Sequence, residues 1–308
     1  MTARPLPRAA PEAEGAADFP ALFPAVPDAC PAFERRDPAV RSTALVVASA
    51  HSGRLYPAEL MRASGLDALR IRRSEDALVD RLVAAAPQHG APLLLARHAR
   101  AYVDLNRAPD ELDPDMFADG DDRACVRTPR AAAGLGAVPR VVGEGCEIYR
   151  SPPLFAEAQA RLRRVHAPWH RELDALMDGA AARFGCAVLL DVHSMPAAAV
   201  AGPRGPGPEL VLGDRHGASA SPAVAARVEA ALRAAGWSVA RNRPYAGGYV
   251  CERQGRPAAR RHALQLEIRR DLYLDEARLE PGPGFTSVRA AVERVLADLA
   301  GVDWAAVA

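Results

Sequence analysis

Ala187-Val-Leu-Leu-Asp-Val-His-Ser-Met-Pro196 is the stretch from which the rest of the chain can be read. A run of apolar, partly β-branched residues ends in Asp191-Val-His193, and Pro196 stops it. In an open α/β sheet, ligands bind just beyond the carboxyl ends of the strands. A histidine at such an end, two residues after an aspartate, is well placed to hold a metal.

The same sequence of apolar run and polar end recurs on both sides. Thr43-Ala-Leu-Val-Val-Ala-Ser-Ala50 has the pattern of a buried strand, and His51-Ser-Gly-Arg-Leu-Tyr-Pro57 follows it. Pro57 to about Gly65 reads as helical. Ser74 is placed to cap a further helix whose Leu78, Val79, Leu82 and Val83 share a face. Pro92-Leu-Leu-Leu-Ala96 is another strand, leading towards Arg100 and Tyr102-Val-Asp-Leu-Asn-Arg107. Residues 108–143 are polar and rich in Pro, Gly and Asp, as binding loops and lids are. A long helical pattern from Phe155 to about Phe184 has Pro168 as its point of interruption and Gly185 as its stop.

Beyond Pro196, a Pro/Gly loop at 203–208 precedes a short strand, Leu210-Val-Leu-Gly213, and a helix over 221–236. Trp237-Ser-Val-Ala-Arg241 is a strand candidate, and Tyr245-Ala-Gly-Gly-Tyr249 a turn where backbone can approach a ligand closely. In His262-Ala-Leu-Gln-Leu-Glu-Ile-Arg269 the even-numbered apolar residues face one way, and Gln265, Glu267 and Arg269 the other. A closing helix spans about 286–299. Strands alternating with helices predict one α/β domain over 41–308, with a central mixed, mostly parallel sheet and helices on both faces. Residues 1–40, rich in Pro and Ala, read as a loosely packed arm with a short helix near Ala21-Leu22-Phe23.

Composition narrows the function classes. The 308 residues contain no lysine, which excludes a Walker-type phosphate loop and a Schiff-base mechanism. A net charge of +1 and the lack of aromatic-basic clusters speak against nucleic acid. Five scattered cysteines form no C-x-x-C pair, so neither a disulfide framework nor a zinc ribbon is expected. No signal-peptide core and no membrane-spanning stretch are evident, and a cytoplasmic location without membrane partners is expected.

Several residues in this frame carry possible chemistry. His51 and His193 each follow a strand and can serve as neutral imidazole ligands to zinc, which in catalytic sites takes three protein ligands; unrelated loop histidines would look the same. A third, acidic ligand would come from Glu75 or Asp76, although a first-turn carboxylate complementing a helix dipole has the same appearance. Glu267 stands in an otherwise apolar strand, so it is either paired with Arg269 or Arg270 or lines a cavity as a general base. Asn106 and Arg107 set an amide beside a guanidinium, a pairing suited to gripping a carboxylate, and equally found in a solvated turn. His170 and Tyr249 read as a packed helical histidine and a turn tyrosine.

Taken together, the segments resemble the N-formylglutamate amidohydrolase family, which belongs with the zinc carboxypeptidase-like and aspartoacylase-like hydrolases. The resemblance rests on His51-Ser-Gly53, Ser74-Glu-Asp-Ala-Leu-Val-Asp80, Arg100-Ala-Tyr-Val-Asp-Leu-Asn-Arg107 and Ile148-Tyr-Arg-Ser-Pro152. It continues through Pro168-Trp-His170, Leu190-Asp-Val-His-Ser-Met-Pro196, Leu212-Gly-Asp214, Pro244-Tyr-Ala-Gly-Gly-Tyr249 and Leu264-Gln-Leu-Glu267, over roughly residues 44 to 275.

The resemblance implies zinc-dependent hydrolysis of the amide of an acylated amino acid, with one zinc per chain. It makes His51, Asp76 and His193 the metal ligands, preferring Asp76 over Glu75. Glu267 looks like the base that activates water, Arg100 like the cation at the scissile carbonyl, and Asn106 and Arg107 like the anchor of the substrate carboxylate. The related branches carry a glutamate three residues after the first histidine, where this chain has Arg54.

The expected reaction is metal-dependent cleavage of N-formyl-L-glutamate to L-glutamate and formate, with Arg269 reaching a second carboxylate. The partner is thus a small carboxylate-bearing N-acyl amino acid. The alternatives are a deacylase or amidase for another N-acyl amino acid or short peptide, and a catalytically inactive binding protein on the same fold, which the Arg54 departure would favour.

Overall fold

In chain order the strands are β1 (Phe33–Arg36), β2 (Leu45–Ser49), β3 (Leu93–Ala96), β4 (Val141–Val142), β5 (Cys146–Glu147), β6 (Ala187–Met195), β7 (Leu210–Gly213), β8 (Val239–Arg241), β9 (Arg261–Arg269), β10 (Leu274–Asp275) and β11 (Glu280–Pro281). The computed structural model describes residues 30–120, 122–203 and 205–308, so the short helix expected near Ala21-Leu22-Phe23 lies outside the described residues. Seven strands form one mixed sheet in the order β1-β3-β2-β6-β9-β7-β8, while β4–β5 and β10–β11 are separate ribbons. The β2–β3, β2–β6, β6–β9 and β7–β8 pairs are parallel; β1–β3 and β7–β9 are antiparallel. Residues 33–36, inside the stretch read as a loose arm, therefore belong to the sheet edge.

β6 and β9 pair along their whole length, from Ala187 opposite Arg261 to Met195 opposite Arg269. Side chains alternate faces along a strand, and the alternation sorts the two sides. Val188, Leu190 and Val192 of β6, with Leu264, Leu266 and Ile268 of β9, join one core under the helices Pro222–Ala234 and Phe285–Ala300. The opposite face starts apolar, with Ala187, Leu189 and Ala263 packed against Trp169, Leu173, Leu176 and Met177. It then turns polar, through Asp191 and His193 on β6 and Gln265 and Glu267 on β9. On that polar half His193, Gln265 and Glu267 line a cavity. No helix among the described residues is long and apolar enough to cross a membrane.

Two helix expectations change. The predicted interruption at Pro168 is instead a π turn, Leu162–His166, joining Phe155–Arg161 to Ala167–Phe184. Proline has no N–H to give, and one wider turn before it absorbs the mismatch without breaking the rod. Ser74, expected to cap a helix, ends a short 3-10 turn, and the helix starts only at Val79, after a left-handed Leu78 (φ 65°). Tertiary bonds claim the intervening backbone: Asp76 N–H donates to the His51 carbonyl, and the Glu75 carbonyl accepts from Arg270.

Two buried histidines make the fold acid-sensitive. Burial, with Arg164 and Arg97 adding, lowers His98 to about 4, and burial with His166 lowers His170 to about 3. Both are held neutral, so their contribution is complete above the unfolded value of 6.5 and shrinks as pH falls below it. Unfolding free energy should drop by about 2 kcal/mol per histidine between roughly pH 7.5 and 5. Urea melts at the two pH values test this; a His98→Asn variant should lose its share of the dependence, and an unchanged slope would refute the assignment.

Candidate active site

The connection from β2 leads to β3 on one side, and the chain later returns as β6 on the other. A crevice at such a switch point, beyond the strand ends, is the ligand position of open α/β sheets. His51, two residues past β2, and His193, near the end of β6, meet there with Asp76. His193 Nδ1 lies 3.1 Å from His51 Nδ1 and 2.9 Å from Asp76 Oδ2; His51 Nδ1 is 3.4 Å from the same oxygen. All three residues are buried.

The far side of each imidazole explains why these atoms converge. His51 Nε2 lies 2.7 Å from Asp104 Oδ1, and His193 Nε2 lies 2.7 Å from Asp191 Oδ2. A carboxylate there accepts a hydrogen bond from Nε2–H and leaves Nδ1 with a free lone pair, the usual outer support of a metal-bound histidine. Three lone-pair atoms then face one point. Tetrahedral bonds of zinc length set ligand atoms about 3.3 Å apart, and the observed separations of 2.9 to 3.4 Å bracket that value. The residues fit a small divalent cation bound by nitrogen and oxygen.

Asp76 is held for this role from behind. Its Oδ1 accepts from Ser194 Oγ at 3.0 Å and from Arg270 Nη2 at 3.1 Å, leaving Oδ2 towards the histidines. Glu75, the other candidate, turns to Tyr56 and Arg72 instead. Arg54, at the departing position, donates to Asp80 at 2.7 Å on the exposed side and takes no part in the cluster.

Glu267 pairs in register with His193 across β6–β9 and lines the same cavity, of about 370 Å³. Gln265, two residues earlier on the same face, donates from Nε2 to Glu267 Oε1 at 2.7 Å. The glutamine cannot flip, because its Oε1 accepts from Asn106 Nδ2 at 3.0 Å and from Gly248 N at 2.9 Å. Gly248 is required here: a Cβ would stand 2.4 Å from the Asn106 side chain. Asn106 Oδ1 accepts from Val250 N, and its Nδ2 also lies 3.5 Å from His193 Nε2, so the asparagine is largely wall.

Arginines surround the opening. Arg100 Nε donates to Asp104 Oδ2 at 2.8 Å, which leaves both terminal nitrogens for the cavity. Arg107 is only loosely paired, its Nε 4.0 Å from Asp104 and buried without an acceptor. Arg269 corrects the expectation of a second carboxylate anchor. Its guanidinium donates to Asp271 and to the carbonyls of Pro206 and Gly207, and it is Arg270 that lines the cavity. β9 ends at Arg269 and a 3-10 turn begins at Arg270, so the period-two rule stops at that residue.

The charges are strongly perturbed. Burial resists ionisation of Asp76 and Asp104, but His193 and His51 beside the first, and Arg100 and His51 beside the second, hold both well below the usual carboxylate range. His193 is raised well above an ordinary histidine despite burial, by Asp191 and Asp76. A site that draws positive charge onto an imidazole suits a cation. Glu267 moves the other way, raised by burial and by Asp76, towards the range useful to a base that must also release its proton.

Sequence reasoning assigned no role to Asp104, Asp191, Gln265, Tyr245 or Arg130. Asp191 and Gln265 were visible through the period-two alternation. Asp104 lies within the Arg100–Arg107 segment, but its partner His51 is 53 positions away. Residues 108–143, expected as a binding loop or lid, form part of the cavity wall through Arg130, Leu135, Pro139, Val141 and Val142. The segment is anchored by its own cluster, in which Leu112, Met116, Phe117, Ala137 and Val138 meet Phe155 and Ala158. His170, packed under the site, bonds the Leu105 carbonyl, and Tyr249 N–H donates to the Asn106 carbonyl.

A family model described as N-formylglutamate amidohydrolase matches residues 43–274. The N-formylglutamate deformylase of Pseudomonas aeruginosa is 33% identical over 236 residues, covering 75% of this chain and 82% of that protein. That of Pseudomonas putida is 30% identical over 244 residues, covering 75% and 86%. The crystal structure of an N-formylglutamate amidohydrolase from Ralstonia eutropha JMP134 superposes with a TM-score of 0.82 at 35% identity, over 87% of this chain and 96% of that one.

Proposed function

The chain belongs to the N-formylglutamate amidohydrolase family and is a hydrolase of linear amide bonds, and from that premise we propose that it cleaves N-formyl-L-glutamate to L-glutamate and formate with the help of a bound zinc ion. The observation that carries this reading is the convergence of His51 Nδ1, His193 Nδ1 and Asp76 Oδ2, each braced from behind, beside a desolvated Glu267. These three residues would hold the metal, and a donor set of two imidazoles and a carboxylate suits zinc. Bound there, zinc supplies a Lewis acid that polarises the formyl carbonyl and makes water more acidic.

The remaining work falls to the protein's own groups. Arg107 grips the α-carboxylate and sets the formyl group over the crevice. Glu267 takes the proton of the attacking water. Gln265 already donates to its Oε1, so the proton is received at Oε2. The carbonyl oxygen gathers negative charge as water adds, and the terminal nitrogens of Arg100 stabilise it. Glu267 then returns its proton to the leaving nitrogen, releasing glutamate and formate.

The test is formate release from N-formyl-L-glutamate by the purified protein. Activity should disappear, by at least about 100-fold, after dialysis against a chelator and return with one equivalent of zinc per chain. Full activity in protein verified to be metal-free would reject the proposal.

A further inference from the structure

We propose that Arg130 binds the side-chain carboxylate of the substrate, so that the cavity selects N-formylated acidic amino acids over neutral ones; this rests on the amidohydrolase reading above. Arg269, the sequence's choice for that role, is tied to Asp271 and two carbonyls away from the cavity. The arginines that do line it are Arg73, Arg100, Arg107, Arg130 and Arg270.

Their bonds separate them. Arg270 is occupied by Ser194, Asp76 and the carbonyls of Glu75 and Arg73. Arg73 donates to the Glu276 carbonyl at 3.2 Å. Arg100 is fixed to Asp104 and faces the scissile carbonyl, and Arg107 takes the α-carboxylate. Arg130 alone of the five has neither a hydrogen bond nor an ion pair among the described residues.

Its place in the wall is nonetheless built. Arg130 sits in the short helix Pro129–Ala132, where Thr128 Oγ1 accepts from Ala131 N and donates to Glu111. Ala131 is fully buried, and the Arg130 carbonyl accepts from Leu135 N at 2.8 Å. Arg130 and Arg107 line the same cavity. Burial and the fields of Arg100 and Arg130 lower Arg107 below the usual arginine value, so the pair repels while the cavity is without an anion. A ligand with one carboxylate answers Arg107; a dicarboxylate answers both. N-formylglutamate is a dicarboxylate of that kind.

The experiment compares kcat/KM for N-formyl-L-glutamate and N-formyl-L-glutamine in zinc-loaded wild type, Arg130→Ala and Arg107→Ala. The two substrates differ only in the charge of the side-chain terminus. Wild type should prefer the glutamate substrate, and Arg130→Ala should reduce that preference by roughly 10- to 100-fold, mostly through KM, as expected for one charged hydrogen-bonding partner. Arg107→Ala should weaken both substrates together and keep the ratio. A preference surviving in Arg130→Ala would overturn the assignment of Arg130 while leaving the hydrolase reading intact. Equal use of both substrates by wild type would overturn acidic selection itself. Hydrolysis of neither would overturn the function on which the inference stands.

Discussion

Glu267→Gln should lower kcat for N-formylglutamate by about 1,000-fold, within the span attributed to a positioned acid–base group. The substitution keeps size and shape, and Gln265 Nε2 still finds an oxygen to donate to, so the cavity should not rearrange. What disappears is the ability to accept a proton from water and to return it to nitrogen. KM and metal content should therefore stay close to those of wild type, because Glu267 belongs neither to the metal cluster nor to the carboxylate anchors. Steady-state kinetics beside elemental analysis would check this. A variant that keeps kcat within tenfold would move the base elsewhere.

His193→Ala should act one step earlier, on the metal itself. Removing this imidazole takes one of three ligand atoms and leaves Asp76 Oδ2 and Asp191 Oδ2 without the partner each holds at 2.9 and 2.7 Å. Two buried carboxylates facing an empty space repel each other, and breaking a buried pair costs on the order of 3–5 kcal/mol. The purified variant should carry well below one metal per chain, melt earlier than wild type, and lose at least about 1,000-fold in activity. Asp191→Asn is the milder companion: it keeps the imidazole but weakens its orientation, and a 10- to 100-fold loss of metal affinity is the order expected. A His193→Ala protein with a full complement of metal would overturn the ligand set.

Much of this site could be read from the chain because strands advertise their faces. Asp191 and His193 fall two apart, as do Gln265 and Glu267, and a period of two puts each pair on one side of the sheet. Position at strand ends singled out His51 and His193, but only the resemblance preferred Asp76, which stands in no strand, over Glu75. The misreadings have a common physical origin in long-range bonds. Ser74 has the local chemistry of a helix cap, yet Asp76 and Glu75 are bound through backbone atoms to His51 and Arg270, residues far away in sequence. Arg269 has the right parity, but the strand ends beneath it and the loop at Pro206–Gly207 takes its guanidinium. No local pattern tells which of two adjacent arginines a distant loop will claim.

The separate anchoring of residues 108–143 has a consequence for how such an enzyme can change. Leu112, Met116, Phe117, Ala137 and Val138 pack with one another and the helix at Phe155, while His193 and Glu267 ride on the central sheet. Loops on a rigid scaffold are where binding residues vary most freely. Mutations at the tips of this wall, at Arg130 or Leu135, can therefore retune which acylated amino acid is accepted without passing through a state that has lost hydrolysis. Diversification of this enzyme, in nature or in a library confined to residues 130–143, has a route in which selectivity drifts while the reaction is inherited.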